Sequence, residues 1–221
     1  MIIQPAKDKL LPHLVVDDFY DKYLLEGVWK ELDFYSHTQM QSVHENTTAI
    51  IDGKFVGDKM SIPMIDVYTQ SGATRSLIFK ATELFKHKDI HDGLKEAFSE
   101  SPYDLYRYFS ITNYSDTLIS YYEDKHYYKP HIDSSHFTIL IWLYKTPKNF
   151  FGGNLNLHTK QNEREPYSSI EIKNNRMVII PSFYSHGVDE LKVIDDSRKD
   201  KWGRYAITHF LGYDEKRRQN Q

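Results

Sequence analysis

The chain has no cysteine among its 221 residues. That excludes disulfides, thiolate metal sites and a cysteine nucleophile, so a transition metal can be held only by histidine and carboxylate. No run of apolar residues is long enough to cross a membrane as a helix. Glycine and proline are few, 10 and 8, which excludes collagen-like and low-complexity chains. Neither sign of charge predominates. The net charge is −3; residues 1–100 carry 11 basic and 16 acidic groups, and residues 101–221 carry 17 and 15. The whole chain therefore lacks a basic footprint for nucleic acid. Met1-Ile2-Ile3-Gln4-Pro5-Ala6-Lys7-Asp8 has no apolar signal core. The expectation is a cytoplasmic protein with neither nucleic acid nor membrane as partner.

Bulky residues and histidine are abundant: 17 Tyr, 12 Phe, 3 Trp and 11 His. The length suits one domain over 1–221. Within it, residues 1–100 read as helical support and a lid loop, 101–215 as a β core and 216–221 as a tail. Asp17 to Tyr35 has helical spacing in Phe19, Tyr23, Leu24, Trp29 and Leu32, with Asp17 or Asp18 as cap. Residues 44–72 read as a long loop with short extended pieces, a lid candidate. Thr74–His87 and Asp89–Ser99 read as two further helices, the second weakened by Gly93.

From Tyr103 the texture becomes β-like. Expected strands cover Tyr103–Asn113, Thr117–Tyr122, Phe137–Tyr144, Asn154–His158, Ser168–Ile172, Arg176–Ile180, Val188–Ile194 and Tyr205–Leu211. Pro147, Gly152-Gly153, Pro166, Asn174-Asn175, Pro181 and Gly203 punctuate them. The fold class is mainly β with an N-terminal helical layer (α+β): a sandwich, jelly roll or barrel.

The chain has two His-x-Asp pairs, His87/Asp89 and His131/Asp133. The first sits in a polar stretch and reads as solvated surface. On a strand, residues i and i+2 share a side, so His131 and Asp133 can reach one ion. His186 follows the Pro181 turn and can enter the same cleft from another strand. Two histidines and a carboxylate form a facial triad that leaves positions open on a six-coordinate iron(II). On the last strand Arg204, Ala206 and Thr208 face one way, and Tyr205, Ile207 and His209 the other. An arginine on the inner face of a sandwich needs an anion, and its planar fork suits a carboxylate. Thr208 adds a hydroxyl on that face. Leu140, Trp142, Leu155 or Ile179 are candidates to line the cavity, with plain core packing as the alternative for each.

These residues resemble the iron(II)/2-oxoglutarate-dependent oxygenases, and within them the prolyl 4-hydroxylase group. The resemblance runs through Tyr122 to Asp133, Thr138 to Leu143, Gly152-Gly153-Asn154-Leu155, His186-Gly187-Val188 and Arg204 to Thr208. It implies a double-stranded β-helix with His131, Asp133 and His186 as catalytic iron ligands. Arg204 and Thr208 would hold the far carboxylate of 2-oxoglutarate, and Tyr122 would help hold that cosubstrate. Trp142 stands where oxygen-sensing members carry a tyrosine beside it. Implied cofactors are Fe(II), 2-oxoglutarate and dioxygen, with ascorbate as reductant. The implied reaction hydroxylates an unactivated C–H bond, with a prolyl residue of a peptide or protein as leading substrate, and releases succinate and CO2. Retention of Asp133 favours hydroxylation over halogenation. The alternatives are a related oxygenase acting on a free amino acid or other small molecule, and a cupin-like binding module without turnover.

Overall fold

A computed structural model describes residues 1–43, 50–51, 53–71, 75–160, 165–198 and 200–218. Seventeen strands follow one another: β1 Ile2–Ala6, β2 His13–Asp17, β3 Gln41–Ser42, β4 Ile50–Ile51, β5 Lys54–Phe55, β6 Gly57–Asp58, β7 Met60–Pro63, β8 Tyr114–Tyr122, β9 Tyr127–His131, β10 Phe137–Tyr144, β11 Phe150–Gly152, β12 Leu155–His158, β13 Ser168–Ile170, β14 Arg176–Pro181, β15 Ser185–Val188, β16 Leu191–Val193 and β17 Arg204–Gly212. The helices are α1 Lys22–Thr38, α2 Met64–Ser71, α3 Leu77–Lys80, α4 Lys88–Ala97, α5 Leu105–Ser110 and α6 Glu215–Arg218. A 3₁₀ segment, Ala81–Lys86, joins α3 to α4.

Thirteen of these strands form a double-stranded β-helix of two facing sheets, and β4–β5 and β11–β16 pair separately. The major sheet has the order β1-β2-β14-β10-β17-β8-β7-β3, and the minor sheet β13-β12-β15-β9-β6. Strand β10 shows why the sequence folds this way. Phe137-Thr-Ile-Leu-Ile-Trp-Leu-Tyr144 is apolar on both faces, as a strand covered on both sides must be. Ile139, Ile141 and Leu143 join the core beneath the helices, with Met177, Ile179, Tyr205 and Ile207. Leu140 and Trp142 join the core between the sheets, with Leu155, Leu157, Val178, Ile180 and Ala206. Ile179 therefore takes the core-packing alternative, beneath the helical layer.

The N-terminal hundred residues are less helical than their pattern suggests. Strands β1 and β2 extend the major sheet through β14, and β3 and β7 extend its other edge. Helix α1 starts later than expected, because Asp21 caps it by accepting the Leu24 amide. Asp17 instead lies in β2 and takes a two-pronged bond from Arg176. Tyr23, expected on the buried stripe, is exposed; Val28, Leu32 and Tyr35 form the stripe. Thr74 lies outside the described residues, and Ser76 caps α3. A Cβ at Gly93 would lie 2.6 Å from Ile3, so the missing side chain lets β1 pack on α4. Tyr103–Asn113, expected as a strand, contains helix α5 instead, capped by Asp104. The single strand expected over Val188–Ile194 is split between β15 and β16.

Residues 44–49, 52 and 72 of the stretch read as a loop lie outside the described residues. The described part carries β4 to β7 and α2. Gly57 and Asp58 pair with Tyr128 and Tyr127 of the minor sheet. Met60 to Pro63 pair with Tyr121 to Leu118 of the major sheet. Residues 57–63 thus lace the two sheets together, with Lys59 at the crossing.

Candidate metal and carboxylate site

His131 ends β9, and its register partner on β15 is His186. Pairing across the ladder brings the two rings to 4.4 Å between centroids. Asp133 lies two residues past His131, just beyond the strand, where its amide donates to the Ser182 carbonyl. The intervening Ile132 points to solvent. The His-x-Asp spacing works as expected, although a turn after the strand carries the carboxylate.

The Nδ1 atoms of both histidines face backbone carbonyls, Lys129 at 3.0 Å and Tyr184 at 2.9 Å. With Nδ1 turned to the carbonyl, each Nε2 faces the site: protonated, it donates to Asp133, and deprotonated, it can ligate a metal. Those Nε2 atoms point at Asp133, 3.5 Å from Oδ1 for His131 and 3.3 Å from Oδ2 for His186. One ligand atom from each residue lies within 4.8 Å of the others, and this is the grouping of metal-binding side chains found among the described residues. Burial opposes the charge on Asp133, but bonds to both histidines outweigh it and hold the carboxyl well below the usual range. Burial pushes His131 down; burial also acts against His186, where the bond to Asp133 prevails and raises it. Thr138 on β10 donates to Asp133 Oδ2 at 2.6 Å and contacts Ser182 Oγ at 2.9 Å. The donor set, two neutral imidazoles and an oriented carboxylate, fits a divalent transition metal of the iron(II) kind.

The triad opens on a cavity of about 110 Å³ between the sheets. This is small beside the roughly 300–1,000 Å³ of typical ligand pockets. Tyr122, Leu140, Leu155, Arg204 and Thr208 line it, together with Lys59 and Tyr128. Arg204 is fully buried, and its three guanidinium nitrogens have no hydrogen-bond partner. Its guanidinium lies 4.6 Å from the Tyr122 ring and 5.6 Å from the Trp142 ring. Burial lowers its pKa, against the pull of Tyr122. Gly153, at φ +73, makes room for the arginine stem: a Cβ there would lie 3.1 Å from Arg204 Cδ. An isolated buried cation with an open fork is costly unless an anion completes it.

The expected residues thus meet in one place, with one exception. Trp142 does not line the cavity but stands one layer back, against Arg204, with its own Nε1 buried and unpartnered. Two contributors escape sequence reading. Thr138 shares the inward face of β10 with Leu140, so its period was visible but its partner was not. Lys59 is 5 % exposed, and burial pushes its ammonium down to about 8, with Asp133 acting to raise it and Arg204 to lower it. Nothing in the local pattern distinguishes it from a surface lysine.

Fold and donor set together present two histidines and one carboxylate, grouped as a metal would need them, inside a double-stranded β-helix. Residues 117–212 match the 2OG-Fe(II) oxygenase superfamily. That stretch contains all seven site residues expected from the sequence. Among solved structures the chain is similar to a Pseudomonas putida prolyl-4-hydroxylase, at 11 % identity and a TM-score of 0.55, over 91 % of this chain and 92 % of that one. It is equally similar to an oxidoreductase of the 2OG-Fe(II) oxygenase family from Burkholderia pseudomallei, at 11 % identity and a TM-score of 0.55, over 90 % and 84 %. No curated protein matches the sequence. No helix among the described residues is long and apolar enough to cross a membrane.

Proposed function

We propose that the chain is an Fe(II)- and 2-oxoglutarate-dependent dioxygenase that hydroxylates an unactivated C–H bond, with a prolyl residue of a peptide or protein as substrate. The observation that carries this reading is the fully buried, unpartnered Arg204 fork in the cavity onto which His131, Asp133 and His186 converge. Metal binding alone needs no buried guanidinium, which weighs against a binding module without turnover. His131, Asp133 and His186 hold the iron. Arg204 and Thr208 hold the far carboxylate of 2-oxoglutarate, Tyr122 flanks it, and Trp142 backs the arginine. Bound there, iron supplies the redox chemistry that couples dioxygen to oxidative decarboxylation. The protein orients both reactants and keeps the cavity dry through Leu140 and Leu155.

Exposed apolar side chains favour a peptide over a free amino acid. Ile132 lies between two triad residues, and Phe183 follows Ser182, whose carbonyl holds the Asp133 amide. Tyr103 packs on Phe183, with ring centroids 6.4 Å apart. All three are more than half exposed beside the triad, as a surface that meets a chain would be. The similar P. putida protein is a prolyl-4-hydroxylase, which agrees in kind.

Anaerobic addition of Fe(II) and 2-oxoglutarate should produce the charge-transfer absorption of the chelate. Its absence overturns the metal and cosubstrate assignment. Under air, proline-containing peptides should stimulate succinate release and their proline-free counterparts should not. Stimulation by free amino acids alone would replace the peptide reading with the small-molecule one.

A further inference from the structure

Lys59 lies outside the stretch that matches the superfamily, yet its amine is inside the cavity. The sheet-lacing segment puts it there: β6 ties residue 58 to the minor sheet and β7 ties residue 60 to the major one. The amine donates to Ser120 Oγ at 3.1 Å and lies 4.9 Å above the centre of the Tyr128 ring. Tyr128 in turn lies against His131, at 4.2 Å between ring centres. Through Tyr128 the amine is thus linked to His131 of the triad, and through Ser120 to the strand whose Tyr122 packs on Arg204.

No carboxylate forms an ion pair with Lys59 among the described residues, and Asp133 is engaged by the two histidines. Two buried cations thus face one small cavity without a committed counter-charge. A neutral hydroxyl and an aromatic face do not replace the hydration that burial removes from an ammonium. Two cations in one cavity, one of them linked through Tyr128 to His131, match a ligand with a carboxylate at each end.

We propose that Lys59 is a second carboxylate-binding residue, holding the carboxylate of the 2-oxo acid end of the cosubstrate while Arg204 holds the far one. This rests on the 2-oxoglutarate reading above. The site then reads its ligand at both ends, and the N-terminal segment supplies half of that recognition. Ser120 and Tyr128 are positioning residues for the amine.

The test is titration calorimetry on Mn(II)-loaded protein with 2-oxoglutarate and with 2-oxopentanoate, which has a methyl group in place of the far carboxylate. Lys59→Met should weaken both ligands by the same factor, about ten- to a hundred-fold, because both carry the carboxylate it holds. Arg204→Met should weaken 2-oxoglutarate alone. Lys59→Gln, which can still bond to Ser120, should match Lys59→Met, and Lys59→Arg should keep most of the affinity. Mn(II) affinity, measured separately, should not change in the Lys59 variants. Unchanged binding of both ligands in Lys59→Met and Lys59→Gln overturns the proposal, and so does a loss confined to 2-oxoglutarate. If the wild type binds 2-oxoglutarate no better than 2-oxopentanoate, the reading of the site itself fails.

Discussion

Asp133 keeps its charge in a buried place because three neighbours speak for it: two imidazoles and the Thr138 hydroxyl. Thr138 also meets Ser182, so one side chain fixes both the carboxylate and the turn that presents it. Thr138→Val keeps the shape and removes the donor. We expect metal affinity to fall by about ten- to a hundred-fold with little change in melting temperature, read by competition with a chromophoric chelator. His131→Ala and Asp133→Ala should abolish stoichiometric iron binding, and retained iron would dismiss the ligand set. Arg204→Ala should leave iron binding intact and raise the 2-oxoglutarate requirement steeply, as measured by succinate release against cosubstrate concentration.

At the scale of elements, the edge pairing of β2 with β14 is fastened by Asp17 and Arg176. The carboxylate accepts from Arg176 Nε and Nη2, the latter at 2.8 Å, and the arginine also donates to the Glu171 carbonyl. Arg176 is buried, so Asp17→Ala leaves a cation with one partner fewer, at a cost of roughly 3 kcal/mol. Urea denaturation should report it as a lower midpoint. In the sequence Asp17 passes for a helix cap, because aspartate before an apolar periodic stretch is a cap signal and its distant partner cannot be seen. The same limit explains Tyr103–Asn113, where aromatic residues favour strand locally but Asp104 and the packing of Leu105 and Phe109 make a helix. Strands β10, β14 and β17 were legible because both their faces are buried and their patterns have no competing reading. The short strands β6 and β7 were not, since two to four residues carry too little period. The convergence of His131, Asp133, His186 and Arg204 was legible through spacing, chemistry and family resemblance taken together; the place of Lys59 was not, since it exists only once two sheets have met around it.

At the scale of the whole molecule, acid is expected to weaken the fold before it reaches the carboxylates. His209 is fully buried in the helix-facing core, bonded through Nδ1 to Thr117 and packed on Phe85, with Nε2 unpartnered. Burial pushes its pKa from 6.5 down to about 3. The unfolded chain therefore binds a proton that the folded chain refuses. The contribution of neutral His209 is present above 6.5 and is lost as pH falls toward 3, at up to about 1.4 kcal/mol per pH unit. Burial shifts His13 the same way. A His209→Gln variant should show a flatter profile of denaturation midpoint against pH across that window, whatever its stability at neutral pH. A slope equal to that of the wild type would place the acid sensitivity elsewhere.

The open guanidinium of Arg204 has a consequence beyond recognition. A cation sealed between two sheets without a partner works against folding, and the chain carries that load until a dianion arrives. The ligand-free protein is thus selected for readiness at the expense of robustness. Replacing Arg204 by methionine, which fits the same tunnel past Gly153, should give a protein that melts later than the wild type and no longer gains from added 2-oxoglutarate. For this chain, endurance and appetite for the proposed cosubstrate pull on one side chain in opposite directions.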